Sequence, residues 1–420
     1  MNSILIKNVL FESQRVDILI VGNRIEKIGK DVEFIADKVI DGSEKGVFPT
    51  FVNMHTHAGM TLFRGISEDM PLSIWLDEIW KAETKLTPEF VYWGTKLACL
   101  EMIKTGTTAF ADMYWYPEKG AQAVEESGIR GALSFCFLDG GDKVKQQRER
   151  EECVQAYNSL KDKSDRVKFV VSIHGHYTVC DENMLWATEF ARKNSLPIHT
   201  HLSETLSENE AHIAKYGVTP TRRLYDMGIL GKDLIAAHSL WLNDEDIALY
   251  GEKEVTAVHN INSNLKLASG YRFRYNELKE AGANVTMGTD GAGSSNNLDM
   301  LEALKTAAFV QKGWREDPSA LPIDELQAMG TRNGAKALGW NMGVIEEGAL
   351  ADLLLIDLNS TLFIPNYNFK SNLFYSANSS SIDTVICDGK VLMEGRQIEG
   401  EKEILQEAAA HINEFVKLVK

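Results

Sequence analysis

"VKFVVSIHGHYTVCDENMLWATEFARKNSLPIHTHLSE", residues 167–204, reads as one strand–helix–strand unit. Two apolar, β-branched runs at 167–174 and 197–203 enclose a helical pattern, and both runs end among histidines. Strands apolar on both faces that alternate with helices belong to a buried parallel sheet. The unit recurs along the middle of the chain, with further strands predicted at 47–53, 107–112, 132–138, 234–238, 255–259 and 284–288. Helical patterns such as 89–104 and 299–311 fill the gaps. Eight βα units over roughly 250–300 residues predict an α/β fold, a (β/α)8 TIM barrel. A doubly wound open sheet is the alternative.

The two ends of the chain are alike in character. Residues 4–40 alternate as short strands with a turn at Gly22-Asn23, and 351–358 and 383–395 repeat the pattern around a hairpin turn at Asp388-Gly389. Neither end carries enough strands to be stable alone. Together they are predicted to form one small composite β-sandwich. The expected division is therefore 1–48 for its first half, 49–345 for the barrel, 346–398 for its second half and 399–420 for a C-terminal amphipathic helix.

Composition narrows the partners. The chain has 420 residues, with 60 acidic against 44 basic side chains and a net charge of −16. Nucleic acids and anionic membranes both require clustered Lys and Arg, so neither is expected. No apolar run approaches the ~18–20 residues of a membrane helix. The first residues lack the apolar core of a signal peptide. Five cysteines without CxxC spacing fit buried thiols in a reducing compartment, and a cytoplasmic protein is expected.

The chemistry concentrates at strand ends. His55, His57, His174, His201, His238 and His259 all fall at or just past the C-terminal end of a predicted strand, and Asp290 follows the eighth. That edge of a TIM barrel carries the active site. A single histidine there is usually a hydrogen-bonded core residue, but a set gathered at one edge is not explained by packing. Residues i and i+2 of a strand share a face, so His55 and His57 can meet one cation. Neutral imidazoles suit Zn²⁺ or Fe²⁺, and three histidines with one aspartate leave a position open for catalysis. Glu204 follows His201 in "HLSE" and can shuttle a proton without binding metal; a capping or surface glutamate is its bland reading. His199 shares the parity of His201 one layer deeper, and His174 and His176 pose the same choice. The Gly-rich "GTDGAGSSNN" at 288–297 lacks the GxxxxGK[ST] spacing of a phosphate loop and is read as a turn that exposes Asp290.

With these residues placed, the sequence resembles the amidohydrolase superfamily, and within it the aminopurine deaminases known as 5-methylthioadenosine/S-adenosylhomocysteine deaminases. The likeness rests on "NMHTHAGMTLFRG" (53–65), "EMIKTGTTAFADMY" (101–114), "HLSET" (201–205), "AAHSLWL" (236–242), "VHNINSNLKLASG" (258–270), "MGTDGAGSSNNLDM" (287–300) and "GVIEEGALADLLLID" (343–357). The resemblance implies one divalent ion, zinc ahead of iron, on His55, His57, His201 and Asp290. It implies Glu204 as proton shuttle, with His238 and Asp290 handling the attacking water. It implies His174 against the purine ring, Glu83 on the ribose hydroxyls and Arg148 on the carboxylate of longer substrates.

Several positions depart from the family pattern. The family more often has "HAPYT" where this chain has "HGHYT", and Thr50 replaces a usual glycine. Phe135 stands near the place of a second substrate-binding arginine, which weakens the expectation for S-adenosylhomocysteine. No lysine is placed for a binuclear site. The implied reaction is hydrolytic deamination of an adenine-type nucleoside: methylthioadenosine, adenosine, 5′-deoxyadenosine or S-adenosylhomocysteine. A guanine or pterin deaminase or a triazine chlorohydrolase shares the same metal residues, and a non-catalytic scaffold is the remote alternative. The partner expected is a small aminopurine, with homo-oligomerisation left open.

Overall fold

The computed structural model describes residues 2–419. Eight strands pair side by side in chain order: Phe51–Thr56, Thr107–Asp112, Arg130–Phe137, Val167–Gly175, Ile198–Leu202, Leu234–His238, Thr256–His259 and Asn284–Met287. All seven junctions are parallel. Helices join the strands, as parallel neighbours require crossover connections. The first and eighth strands are laced together just past their pairing. Asp290 N–H donates to the His55 carbonyl (2.9 Å), Thr289 N–H to Asn53 Oδ1 (3.0 Å), and Asn53 Nδ2 to Thr289 Oγ1 (2.6 Å). The result is the TIM barrel expected from the βα repeat.

The end of the barrel away from the histidines is plugged. Val52, Met54, Ala109, Ala111, Ala132, Val170, Ile235 and Val258 form one apolar cluster with Ala335, Leu338 and Trp340. The helix Arg332–Leu338 is pinned there by Asn333 Nδ2 on the Val285 carbonyl (2.8 Å), with Lys168 Nζ on its own last carbonyl, Leu338 (2.6 Å). With this end filled by side chains, any ligand must enter over the other.

The chain ends meet in a second, eight-stranded sheet. Its N-terminal strands are Ser3–Phe11, Gln14–Val21, Arg24–Gly29, Lys38–Asp41 and Lys45–Pro49; its C-terminal strands are Leu353–Asp357, Ile382–Cys387 and Lys390–Met393. The halves join where Lys45–Pro49 runs antiparallel to Leu353–Asp357. Ile4, Ile6, Ile18, Ile20, Leu353 and Leu355 make its core. One strand expected from sequence is split: residues 47–53 belong to two sheets, with Thr50 as the joint. Thr50 N–H reaches the Asp352 carbonyl (3.3 Å) in the small sheet, whereas Phe51 N–H reaches the Gly106 carbonyl (2.9 Å) in the barrel. Pro49 has no N–H to continue a ladder, so the change of sheet falls where little pairing is lost.

A buried charge network welds the two sheets. Arg130, which opens the third barrel strand, pairs with Asp352 (3.1 Å) and Asp388 (2.8 Å), and Arg166 also pairs with Asp388 (2.5 Å). The C-terminal helix Glu401–Val419 lies against the other end of the barrel. Its Phe415 packs edge-on against Phe63 (5.1 Å) and Phe90 (5.4 Å). Phe63 closes the 3-10 turn Ala58–Phe63 that directly follows His57.

Candidate active site

Every strand-end residue singled out from the sequence except His259 faces one point or its immediate surroundings. His57 Nδ1 donates to the Met113 carbonyl and His201 Nδ1 to the His174 carbonyl, both at 2.6 Å. Each bond fixes the tautomer, leaving the Nε2 lone pair free for a ligand. His57 Nε2 lies 3.2 Å and His55 Nε2 3.4 Å from Asp290 Oδ1. The His55 ring stands 4.9 Å from His201 and 5.6 Å from His238. Ligand atoms of His55, His57 and Asp290, and likewise of His55, His201 and His238, lie within 4.8 Å of one another.

This donor set fits a cation. His55 Nε2 is buried and makes no hydrogen bond, a cost that a metal ion would remove. Behind it, His55 Nδ1 meets His199 Nε2 at 2.9 Å, so His199 supports a ring of the cluster rather than competing with His201. Asp290 Oδ2 accepts from Ser263 Oγ (2.6 Å), which orients Oδ1 towards the imidazoles. His238 and Asp290 hold left-handed backbone conformations, at φ 70° and 63°. Such geometry costs a β-carbon-bearing residue about 1–2 kcal/mol and places both side chains over the barrel mouth.

The acid–base groups stand beside the cluster. Glu204 Oε2 lies 3.6 Å from His238 Nε2. Asn264 Nδ2 donates to His238 Nδ1 (2.9 Å), which puts the proton of the neutral ring on Nε2. Burial, then the charges of Asp290 and Glu208, push the Glu204 carboxyl well above its usual range. Burial opposes an imidazolium at His57, but the Asp290 carboxylate outweighs it and raises the ring to about 8. Burial draws His238 down to about 4.

A narrow inner pocket lies over these groups and opens, past the shared wall of Leu72, Leu76, Tyr177, Glu204 and Leu267, into a cleft of about 1420 Å³. Glu83 and His174 both line the inner pocket. Burial raises the Glu83 carboxyl to about 8, against the hydrogen bond it accepts from Tyr114 (3.0 Å). Thr178 Oγ1 gives its proton to the Gly175 carbonyl (3.1 Å) and so accepts from His174 Nδ1 (2.9 Å). His174 therefore keeps an acceptor at Nε2, and burial holds the ring neutral by drawing it down to about 3.

Two residues expected at the substrate are not brought to it. Arg148 sits on the helix Lys143–Leu160 with its side chain 61% exposed, faces Glu152 (3.8 Å), and lines neither cavity. Phe135 packs against Phe137 (5.2 Å) in the helix layer, and the neighbouring Cys136 is the one that lines the inner pocket. Strand alternation explains this, since adjacent residues face opposite sides. His259 stacks on Phe273 (4.2 Å) and His176 pairs with Glu208 (2.8 Å), both outside the metal-binding group. Asn264, Ser263 and Glu208 are neighbours that sequence reasoning did not single out. Only Glu208 carries a local signal, the Thr205-x-x-Glu208 spacing of a capping box.

A (β/α)8 barrel that gathers three imidazoles and a carboxylate at its strand ends, with a buried glutamate beside them, defines a class of cation-assisted hydrolases. The chain belongs to the amidohydrolase family, whose profile matches residues 47–392. It is 43% identical over 424 aligned residues to a 5′-deoxyadenosine deaminase of Methanoregula boonei, covering 99% of this chain and 96% of that one. It is 44% identical to a 5-methylthioadenosine/S-adenosylhomocysteine deaminase of Thermococcus sibiricus, covering 93% and 94%. A zinc-bound adenosine deaminase structure from Xanthomonas campestris superposes with a TM-score of 0.93 at 29% identity, covering 99% of this chain and 98% of that one. Among the described residues, no helix is long and apolar enough to cross a membrane.

Proposed function

We propose that this chain is a hydrolytic deaminase of adenine nucleosides whose 5′ group is small, with 5′-deoxyadenosine, methylthioadenosine and adenosine as substrates and S-adenosylhomocysteine a poorer one. The observation that carries the reading is the convergence of His55, His57, His201 and Asp290 beneath a buried Glu204. The relatives' names supply the nucleoside. Among the described residues no arginine lines either cavity to receive the carboxylate of a homocysteine tail as a fork; the outer cleft has the lysines Lys215 and Lys266, the latter paired with Glu68 (2.7 Å). One zinc ion would be held by the three histidines and Asp290. When bound there, such an ion lowers the pKa of a water to about 7 and so makes a nucleophile available at neutral pH.

The chain's own groups do the rest. His174 Nε2 and Glu83 orient the purine and the ribose diol. Asp290 takes the proton of the attacking water, and His238, donating from Nε2, aligns its oxygen on C6. Glu204 starts neutral and gives its proton to the ring nitrogen as the water oxygen bonds to C6. Its carboxylate then takes the proton of the added hydroxyl and passes it to the amine, so that the C–N bond breaks, ammonia leaves, C6 keeps a carbonyl and Asp290 returns its proton to Glu204. The chain divides as 1–48 and 346–398 for the small β-domain, 49–345 for the catalytic barrel and 399–420 for the terminal helix. The protein works in the cytoplasm, with no nucleic-acid partner.

The test is ammonia release from 5′-deoxyadenosine, methylthioadenosine, adenosine, S-adenosylhomocysteine, adenine and guanine, with metal content measured on the same sample. Activity confined to the nucleosides, with one zinc per chain, is expected. A preference for guanine, or full activity without metal, would overturn the reading.

A further inference from the structure

Glu204 stands on the turn between the fifth barrel strand and the helix Leu206–Tyr216, next to Ser203 with its left-handed backbone (φ 53°). A turn of that kind holds a side chain loosely unless its backbone is tied. Here it is tied by one carboxylate. Glu208 Oε1 accepts from Ser203 N–H (3.0 Å) and His176 Nε2 (2.8 Å); its Oε2 accepts from Glu204 N–H (2.7 Å) and Thr205 N–H (3.3 Å). An ordinary capping box spends the N3 carboxylate on one backbone donor. This one meets four donors, about the full lone-pair capacity of a carboxylate.

The anchor is itself held from the end of the fourth barrel strand, Val167–Gly175. His176 follows His174 by two residues, and the His174 carbonyl fixes the tautomer of His201. One strand end therefore orients a metal-binding imidazole and, two residues on, grips the carboxylate that ties down Glu204. His176 Nδ1 meets His212 Nδ1 (3.0 Å), which extends the chain of bonds to the next helix. The two glutamates also differ in charge. Burial resists ionisation of Glu208, but His176 and the backbone N–H groups hold it as an anion, and that anion adds to the effects keeping Glu204 neutral.

We propose that Glu208, supported by His176, is a positioning residue that fixes Glu204 for proton transfer. The proposal rests on the shuttle role given to Glu204 above. In Glu208→Gln an NH2 group replaces one acceptor and faces N–H donors. A loss of ~10–100-fold in kcat is expected, the usual worth of an orienting partner, with KM and bound zinc unchanged. Hydrogen exchange at the Ser203, Glu204 and Thr205 amides should quicken. Glu208→Asp keeps the charge with a shorter reach and should restore part of kcat.

A second substrate separates positioning from general damage. In 6-chloropurine riboside, water replaces chloride and the C–Cl electron pair departs with the halide, so Glu204 is still needed at the ring nitrogen but not to carry a proton to the leaving group. The kcat loss in Glu208→Gln should therefore be smaller on this substrate than on adenosine. Equal losses on both, zinc lost in step with kcat, or wild-type turnover would each overturn the proposal. Should Glu208→Gln not fold, Glu208→Asp and His176→Phe are read by the same criteria. Glu204→Gln is run beside them. If it turns over normally, the shuttle reading itself has failed; if it is impaired while Glu208→Gln is normal, only the anchor has.

Discussion

His55 shows how one residue can carry both structure and chemistry. Its ring is fully buried, its Nε2 makes no hydrogen bond, and its Nδ1 rests on His199. His55→Ala should remove bound zinc and turnover together, read by elemental analysis and ammonia release; zinc retained at one per chain would contradict the assignment. Glu83 gives a prediction in pH. A carboxyl raised to about 8 is mostly protonated at neutral pH, whereas a ribose diol is best held by the anion, which can accept from both hydroxyls. Binding of the anion releases a proton, so a nucleoside should bind about tenfold more tightly per pH unit below 8 and level off above it. Calorimetry with the inosine-type product from pH 6 to 9 checks this. Glu83→Gln should flatten the profile, and a wild-type affinity independent of pH would remove Glu83 from the diol.

At the scale of elements, the histidines were legible because each strand end announces itself locally. An apolar run stops, polar residues begin, and the alternation of the strand fixes which residues share a face. The terminal helix was legible as amphipathic, but its partner was not, because the turn that it covers lies more than 300 residues earlier. Phe415 is completely buried between Phe63 and Phe90. Phe415→Ala should therefore cost about 3–5 kcal/mol, the usual worth of a buried ring, measured as a lower midpoint of chemical denaturation. Because Phe63 ends the turn that begins after His57, zinc affinity should weaken as well. An unchanged midpoint would mean that the helix is not docked.

The whole molecule depends on two sheets held as one body. Arg130 is 1% exposed and Asp352 is completely buried, so removing the Asp352 charge leaves the buried guanidinium half paired, on Asp388, with no water to make up the loss. Asp352→Asn should destabilise the protein by about 3–5 kcal/mol, while Arg130→Met with Asp352→Leu should cost much less, since no lone buried charge remains between those two positions. Comparable losses in both proteins would show that packing, and not charge, joins the sheets.

The sequence by itself determined the barrel, the meeting of the two chain ends and the histidines and aspartate gathered at the strand ends, because βα periodicity and strand-end position are written in neighbouring residues. Tertiary structure alone decided which of the remaining candidates reach the cavity. Phe135 and Cys136 differ by one position, and packing of the third strand turned Cys136 towards the pocket and Phe135 into the helix layer. Arg148 is on a helix whose outward face was set by its docking, so a residue near the site in sequence is solvated in space. The Glu208 anchor depended on His176 arriving from another strand 32 residues earlier. Such contacts arise when separate elements are packed, and no local pattern encodes the angle at which they meet.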